Sequence, residues 1–278
     1  MTKTKIEWTD YTWNPVWGCN AGCDYCYARN IAKRFAYPIA EKETGIKTYS
    51  DIPAIPELER NRLAYKIEDF EPVWLQKQFD NIKFPKKTSR IFVGSMSDIA
   101  FWEDEWVEKV AEKIKEYPQH TFLLLTKFPK VYKKLDKFMP KNVWFGVSIT
   151  RNNEMNKLKW LYRYSSFGLR KLFISFEPLL EDIKDPKIFK DFGNKNDLLY
   201  QKIISEYSGI ELADWIIVGA MSGNNNPKTK IEWIENIVKK ARKYSVPVFV
   251  KQIEINGKIE KDVSKFPKEL QYREFPMA

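Results

Sequence analysis

The sequence predicts an α/β protein, a partial or complete (β/α) TIM-type barrel with about seven mostly parallel strands. Apolar runs recur along the chain, and an amphipathic helical pattern follows most of them. The runs at 91–93, 122–125 and 215–218 lack polar alternation, which is typical of parallel strands buried on both faces. A doubly wound open sheet is the alternative architecture.

The predicted elements follow in chain order. Strands are expected at 12–18, 90–98, 120–127, 142–149, 171–180, 214–221 and 246–252. The apolar faces of the intervening helices are Trp106, Val110, Ala111 and Ile114; Phe128, Val131, Tyr132, Leu135 and Phe138; and Ile231, Ile234, Val238 and Ala241.

The simplest domain organisation is one domain over 1–278, because no repeat or low-complexity tract divides the chain. Two polar or proline-broken segments, 38–70 and 181–212, are expected to be insertions, and 253–278 a C-terminal cover. No apolar run approaches the roughly 18 residues of a membrane span, and no signal-peptide pattern is visible. We therefore expect a cytoplasmic protein with no membrane partner.

The cysteine content is informative because all three cysteines, Cys19, Cys23 and Cys26, lie within eight positions. An odd number in such short loops does not make a disulfide framework, so the three residues are predicted metal ligands. Their spacing suits a [4Fe-4S] cluster with one iron left without a protein ligand. Structural zinc is the alternative, but it needs a fourth ligand, and the single histidine, His120, is expected to be an ordinary strand-edge residue.

The cysteine spacing, with the aromatic Tyr25 just before the third cysteine, resembles the radical S-adenosylmethionine (SAM) superfamily. Over nearly its whole length the chain also resembles a largely uncharacterised three-Cys-motif family first noticed in phage proteins. The matching stretches are Ile6-Glu7-Trp8-Thr9-Asp10, Trp13-Asn14-Pro15, Cys26-Tyr27-Ala28, Ser95-Met96-Ser97-Asp98, Leu125-Thr126-Lys127, Gly146-Val147-Ser148, Phe176-Glu177-Pro178-Leu179-Leu180, Val218-Gly219-Ala220-Met221-Ser222-Gly223 and Lys251-Gln252. The chain departs from the family at two places. The loop between Cys19 and Cys23 has the usual superfamily length, whereas relatives often have a longer loop there, and Thr150 stands where relatives often carry an acid.

The resemblance implies a [4Fe-4S] cluster and SAM as cofactors, an external electron donor, and cleavage of SAM to a 5′-deoxyadenosyl radical. Because all the cysteines are committed to one cluster, thiolates cannot ligate an auxiliary cluster. The expected reaction is therefore a rearrangement, an elimination or a lyase-type repair.

Polar residues at the carboxyl ends of the predicted strands are the candidate site, because barrel enzymes place their active sites there. The predicted cofactor-binding residues are Tyr25, Ser95, Ser97, Asp98, Ser148 and Ser175. The predicted catalytic residues are Glu177, Lys127 and Lys251. Alternatively, Asp98 and the serine hydroxyls cap helices, and the two lysines extend along the surface with their ammonium groups in water.

The net charge of +10 is concentrated in residues 127–171, which carry twelve Lys or Arg against two acidic residues. Lys130, Lys133, Lys134 and Lys137 are expected on one helical face, and the next helix adds Lys157, Lys159 and Arg163 beside Trp160, Tyr162 and Tyr164. A basic, aromatic surface favours polyanions, so DNA, RNA or a nucleotide is the expected substrate. The alternatives are a solvated face, a cluster protein that binds nucleic acid or a protein partner without SAM turnover, and a radical enzyme acting on a small metabolite.

Overall fold

The computed structural model describes residues 2–35, 70–164, 170–184, 209–221 and 228–276. The chain forms two compact units: unit 1 comprises Met1–Lys5 and Thr9–Leu124, and unit 2 comprises Ile6–Trp8 and Leu125–Ala278. The predicted insertions at 38–70 and 181–212 fall mostly outside the described residues. That the whole chain is one domain stays a prediction.

Unit 1 contains short strands and three described helices. Its strands are β1 (Thr2–Lys3), β2 (Tyr11–Trp13), β3 (Val16–Trp17), β4 (Val73–Trp74), β5 (Arg90–Val93) and β6 (Thr121–Thr126), whose last two residues belong to unit 2. Its helices are α1 (Tyr27–Phe35), α2 (Gln76–Asp80) and α3 (Asp104–Lys115).

The sheet of unit 1 is built on parallel pairs. β5 lies between β2 and β6, with Ile91 opposite both Tyr11 and Phe122. β1 pairs antiparallel with β2, and β3 with β4. Helix α3 buries Val107, Val110, Ala111 and Ile114. Three residues of the predicted apolar face, Val110, Ala111 and Ile114, are confirmed as buried. The fourth buried residue is Val107, whereas the predicted Trp106 is half-buried.

Unit 2 continues the alternation of strands and helices. Its strands are β7 (Val143–Ser148), β8 (Leu172–Phe176), β9 (Trp215–Gly219), β10 (Val248–Ile255) and β11 (Lys258–Glu260). Its helices are α4 (Tyr132–Leu135), α5 (Lys157–Tyr164) and α6 (Ile231–Lys243).

Strands β7 to β10 run parallel, and β7, β8 and β9 are buried along their whole length. Beyond β10 the chain turns into the antiparallel strand β11 and then returns beside β10. There the backbone N–H of Val250 donates to the carbonyl oxygen of Tyr272, and that of Glu274 to Val248, each at 2.9 Å. The tail therefore pairs with the outer side of β10.

The predicted α/β class is confirmed, and seven strands stand in parallel ladders: β2, β5 and β6 in one set and β7 to β10 in the other. Among the described residues no pairing closes the strands into a barrel, so the partial form of the prediction is the one that fits. None of the described helices has the length and apolarity that crossing a membrane requires.

The helix predicted over 128–138 was wrong in length. Pro129–Val131 is a 3₁₀ turn, and α4 has only four residues and ends at Leu135. A 3₁₀ turn winds more tightly than an α-helix, and Phe128 and Phe138 are exposed rather than part of the apolar face. Consequently Lys137 lies beyond the helix, and the four lysines do not form one helical stripe.

Candidate metal and cofactor site

The cysteine loop lies in unit 1 between β3 and α1. All three cysteine side chains are half-buried. A turn in which the backbone N–H of Cys26 donates to the carbonyl oxygen of Cys23 at 3.1 Å brings the second and third cysteines together. Helix α1 begins at the next residue, Tyr27, so the loop is compact and anchored at both ends.

Backbone bonds attach the start of this loop to neighbouring segments of unit 1. The N–H of Gly18 donates to the carbonyl oxygen of Met96 at 3.1 Å, and the N–H of Cys19 donates to that of Phe70 at 2.6 Å. Gly18 also forms a parallel bridge with Ser97. The first cysteine is thereby held beside the segment that follows β5.

Two glycines of the loop allow a matched test of this anchoring. A Cβ on Gly18 would lie 1.7 Å from the carbonyl oxygen of Glu71, whereas a Cβ on Gly22 would meet nothing within 4 Å, and both residues have positive φ. Gly22→Ala should cost about 1–2 kcal/mol of unfolding free energy for the left-handed backbone. Gly18→Ala should cost a further 1–3 kcal/mol or so, because backbone atoms must move. Urea unfolding of both variants measures the difference, and equal losses would contradict the close approach.

Backbone N–H groups and buried surroundings shape the sulfur environment. The N–H of Ala21 donates to Cys19 Sγ at 3.4 Å, and that of Arg29 to Cys26 Sγ at 3.3 Å. Burial raises the pKa of the Cys19 thiol to about 12; the Ala21 N–H opposes this, while the charges of Asp98 and the other two cysteines add to it. Because metal ligation requires the thiolate, loading this site releases a proton that the metal must displace.

The donor set fits an iron–sulfur cluster. The three sulfurs are near enough to influence one another's charge, and two of them accept N–H bonds of the kind that tune cluster sulfurs. In the described part of the chain, no group of three or more His, Cys, Asp or Glu lies close enough together to hold a metal ion of any kind. The choice between a cluster and zinc therefore rests on the number and spacing of the cysteines.

His120 packs in an aromatic cluster directly before β6. Its ring is 1% exposed and lies 6.1–6.2 Å from the rings of Phe84, Tyr117 and Phe122. Burial lowers the pKa of this imidazole. His120 is therefore a core residue, whereas the sequence predicts an ordinary strand-edge residue.

The segment after β5 carries three of the predicted cofactor residues. Asp98 is 7% exposed, and its Oδ1 accepts the N–H of Ala100 at 3.0 Å at the start of the 3₁₀ turn Ile99–Phe101. It therefore caps a turn while its charge acts on Cys19. Ser97 Oγ accepts the indole N–H of Trp102 at 3.0 Å.

Two residues that sequence reasoning assigned no role hold this segment in place. Asn14 Oδ1 accepts both the Ser95 hydroxyl and the backbone N–H of Met96, each at 3.1 Å. The Tyr27 hydroxyl donates to the carbonyl oxygen of Ser95. Both residues stand in stretches that carry the family resemblance, and that was their only signal in the sequence. Tyr25, another predicted cofactor-binding residue, lies half-buried within the cysteine loop.

Unit 2 brings together the remaining five predicted site residues: Ser148, Ser175 and Glu177 lie at the carboxyl ends of β7 and β8, Lys127 directly follows β6, and Lys251 lies within β10. Lys127 Nζ donates to Ser148 Oγ at 3.4 Å, and that hydroxyl donates to the backbone oxygen of Glu177 at 3.4 Å. The Glu177 carboxylate forms an ion pair with Lys251, and both side chains are less than one-fifth exposed. Ser148 is the register partner of the buried Ser175. We call this group the Glu177 cluster.

Comparison with known proteins places the chain in a family. It belongs to the family described as "Protein of unknown function (DUF5131)", whose match spans residues 3–275. No curated protein matches the chain significantly.

Among solved structures the chain is similar to a cysteine-to-serine mutant of spore photoproduct lyase, with 15% sequence identity and a TM-score of 0.41. That match covers 87% of this chain and 63% of the lyase chain, so the chain spans less than two thirds of the enzyme's length.

Proposed function

We propose that the chain is a radical SAM enzyme that holds a [4Fe-4S] cluster on Cys19, Cys23 and Cys26. The observation that carries the proposal is the compact three-sulfur loop, anchored through Gly18 beside the segment that follows β5. When bound, the cluster and SAM would supply a one-electron cleavage of the sulfonium that yields methionine and a 5′-deoxyadenosyl radical. The narrower relationship to phage proteins stays a prediction.

The chain's own residues would bind and orient these groups. In unit 1, Asp98 offers a carboxylate beside the cysteine loop, and the Ser95 and Ser97 segment is held by Asn14 and Trp102. Half-burial of the cysteines limits the access of water to the sulfurs. In unit 2, the Glu177 cluster offers a charge pair and hydroxyls for the reaction, and we propose Glu177, Lys127 and Lys251 as its catalytic residues.

The test is anaerobic reconstitution followed by electron paramagnetic resonance of the reduced protein with and without SAM. SAM should perturb the spectrum, because an iron without a protein ligand can accept the amino and carboxylate groups of SAM. Formation of 5′-deoxyadenosine with a strong reductant should accompany that change. An unaltered spectrum at saturating SAM, with no 5′-deoxyadenosine, would contradict the proposal.

The substrate class that we propose is a nucleic acid or a nucleotide, because the net positive charge is concentrated in one segment, residues 127–171. The same segment favours a second candidate function: an iron–sulfur protein that binds nucleic acid without turning over SAM. The SAM cleavage assay separates the two. An external electron donor is part of the first proposal only.

A further inference from the structure

We propose that a surface of unit 2, formed by Lys130, Lys159, Trp160, Arg163 and Tyr164, binds single-stranded nucleic acid by stacking bases on its rings. We call these five residues the Trp160 surface. Binding itself needs neither the cluster nor SAM. The inference rests on the proposed function only where it treats the bound nucleic acid as the substrate.

The geometry of this surface places cations next to aromatic faces. Lys130 Nζ and Lys159 Nζ lie 4.9 and 4.8 Å from the ring centroid of Trp160. The Tyr164 ring stacks on Trp160 at 5.6 Å with an interplanar angle of 15°, and the Arg163 guanidinium lies 5.9 Å from Tyr164. Two successive rings, one helical turn apart on α5, therefore share one basic environment.

This arrangement departs from the sequence prediction in two ways. The predicted lysine stripe does not exist as a helical face, but the 3₁₀ turn Pro129–Val131 brings Lys130 to the ring of Trp160. Tyr162, predicted on the same surface, is fully buried, and its hydroxyl donates to the carbonyl oxygen of Gly209 at 2.5 Å. The stacking rings are thus Trp160 and Tyr164, both half-buried.

Several basic residues of the segment have structural roles and are not part of this surface. Arg170 is 7% exposed, pairs with Asp136 at 3.0 Å and donates to three backbone carbonyls. Lys157 pairs with Glu154 at 2.5 Å. Fewer basic side chains can therefore contact a polyanion than the count from the sequence indicates. The Trp160 surface is the place where basic side chains and aromatic rings lie together.

The chemistry favours single strands over duplexes. A base presents its π face only when it is unstacked from its neighbours, and stacking on aromatic side chains with cations at the backbone is how proteins hold single strands without sequence preference. A base that stacks on the Trp160 indole would displace the ammonium groups of Lys130 and Lys159 from over the ring toward its own phosphates. A duplex offers phosphates alone.

The experiment measures fluorescence anisotropy of labelled oligothymidylate and oligouridylate, each about 12 nucleotides long, with the reconstituted protein over a range of salt concentrations. Trp160→Leu should weaken binding on the order of 5- to 100-fold, as the loss of one stacked base does, and Trp160→Phe should recover most of it. The double variant Lys130→Gln with Lys159→Gln should make the slope of log K against log salt less steep by roughly 1.4 for single strands, because two phosphate contacts are lost.

The matched control is Lys228→Gln with Lys239→Gln, which removes the same charge from two exposed lysines elsewhere in unit 2. It should leave most of the binding intact. Equal losses in both charge variants, binding of a duplex of the same length as tight as that of the single strand, or no binding by the parent protein would each overturn the inference. SAM cleavage is measured on the same preparations: its absence with intact single-strand binding contradicts the proposed function alone.

Discussion

Replacing Cys19, Cys23 or Cys26 individually by serine is expected to remove the iron–sulfur cluster and, with it, all reductive cleavage of SAM. Each residue would supply one thiolate, and the chain has no further cysteine to substitute for a lost one. Anaerobically reconstituted parent protein should hold about four irons and four sulfides, with broad visible absorption. The variants should lose the absorption and form no 5′-deoxyadenosine above background.

Asn20→Ala is the control for disturbance of the loop, because Asn20 is exposed and lies next to Cys19. It should retain the full iron and sulfide content. Stoichiometric zinc without sulfide in parent protein made under iron-replete, oxygen-free conditions would show that the three thiols serve a structural metal. Full cluster content in any one of the serine variants would show that the replaced cysteine is not a ligand.

The strands were predictable because their burial leaves a signal that needs no tertiary context. The runs around Phe122, Phe145 and Ile216 are apolar on both faces, and each lies in a strand with parallel neighbours. Strand ends were less well predicted, since 90–98 contains only the four-residue strand Arg90–Val93. Gly94, with a φ of 81°, follows that strand, and a single apolar pattern does not distinguish a strand from the segment that continues it.

The helix over 128–138 could not be predicted correctly from periodicity alone. Its apolar spacing was regular, but Pro129 permits a 3₁₀ turn, and Arg170 binds the carbonyl oxygens of Met139 and Pro140 just beyond α4. That guanidinium also lies 4.3 Å from the ring centroid of Phe145. Such a long-range contact fixes the segment that follows α4, and the local sequence does not predict it.

The candidate site was predictable where chain distance is short or where strand ends define it. The spacing of the cysteines predicts their role. Lys127, Ser148, Glu177 and Lys251 could be predicted because each follows an apolar run. Asn14 was missed because its partners, Ser95 and Met96, lie 81 and 82 residues away and depend on how β2 pairs with β5. Hydrogen bonds of this kind follow from register, which a single sequence does not specify.

Glu177→Gln is expected to lower the rate of 5′-deoxyadenosine formation about 10²-fold, because a carboxylate that orients bound SAM keeps the reacting atoms aligned, while leaving the cluster content unchanged. The variant keeps the shape of the side chain but removes the charge that pairs with Lys251. The same substitution should cost about 1–3 kcal/mol of unfolding free energy, because an ammonium less than one-fifth exposed loses its counter-charge. Rate per cluster and urea unfolding measure the two effects separately.

A purely structural role for this ion pair gives a different pattern, which the double variant Glu177→Gln with Lys251→Met distinguishes. Removing both charges should restore stability toward that of the parent, since replacing a buried pair by neutral groups is often close to neutral. The rate should stay low if either member of the pair takes part in the reaction. Recovery of the parental rate in the double variant would mean that Glu177 serves only to neutralise Lys251.

The exposed pair of Lys171 and Asp214 supplies the matched control within unit 2. Their charged atoms lie 2.9 Å apart, but the side chains are 49% and 29% exposed, so water screens the pair. Lys171→Met should change the unfolding free energy by no more than about 1 kcal/mol and leave the rate unaltered. A comparable loss of rate in this control would indicate that any charge change in unit 2 impairs the enzyme, and the case for Glu177 as a catalytic residue would fail. A loss confined to the Glu177 variants would instead assign the effect to the charge at the carboxyl end of β8.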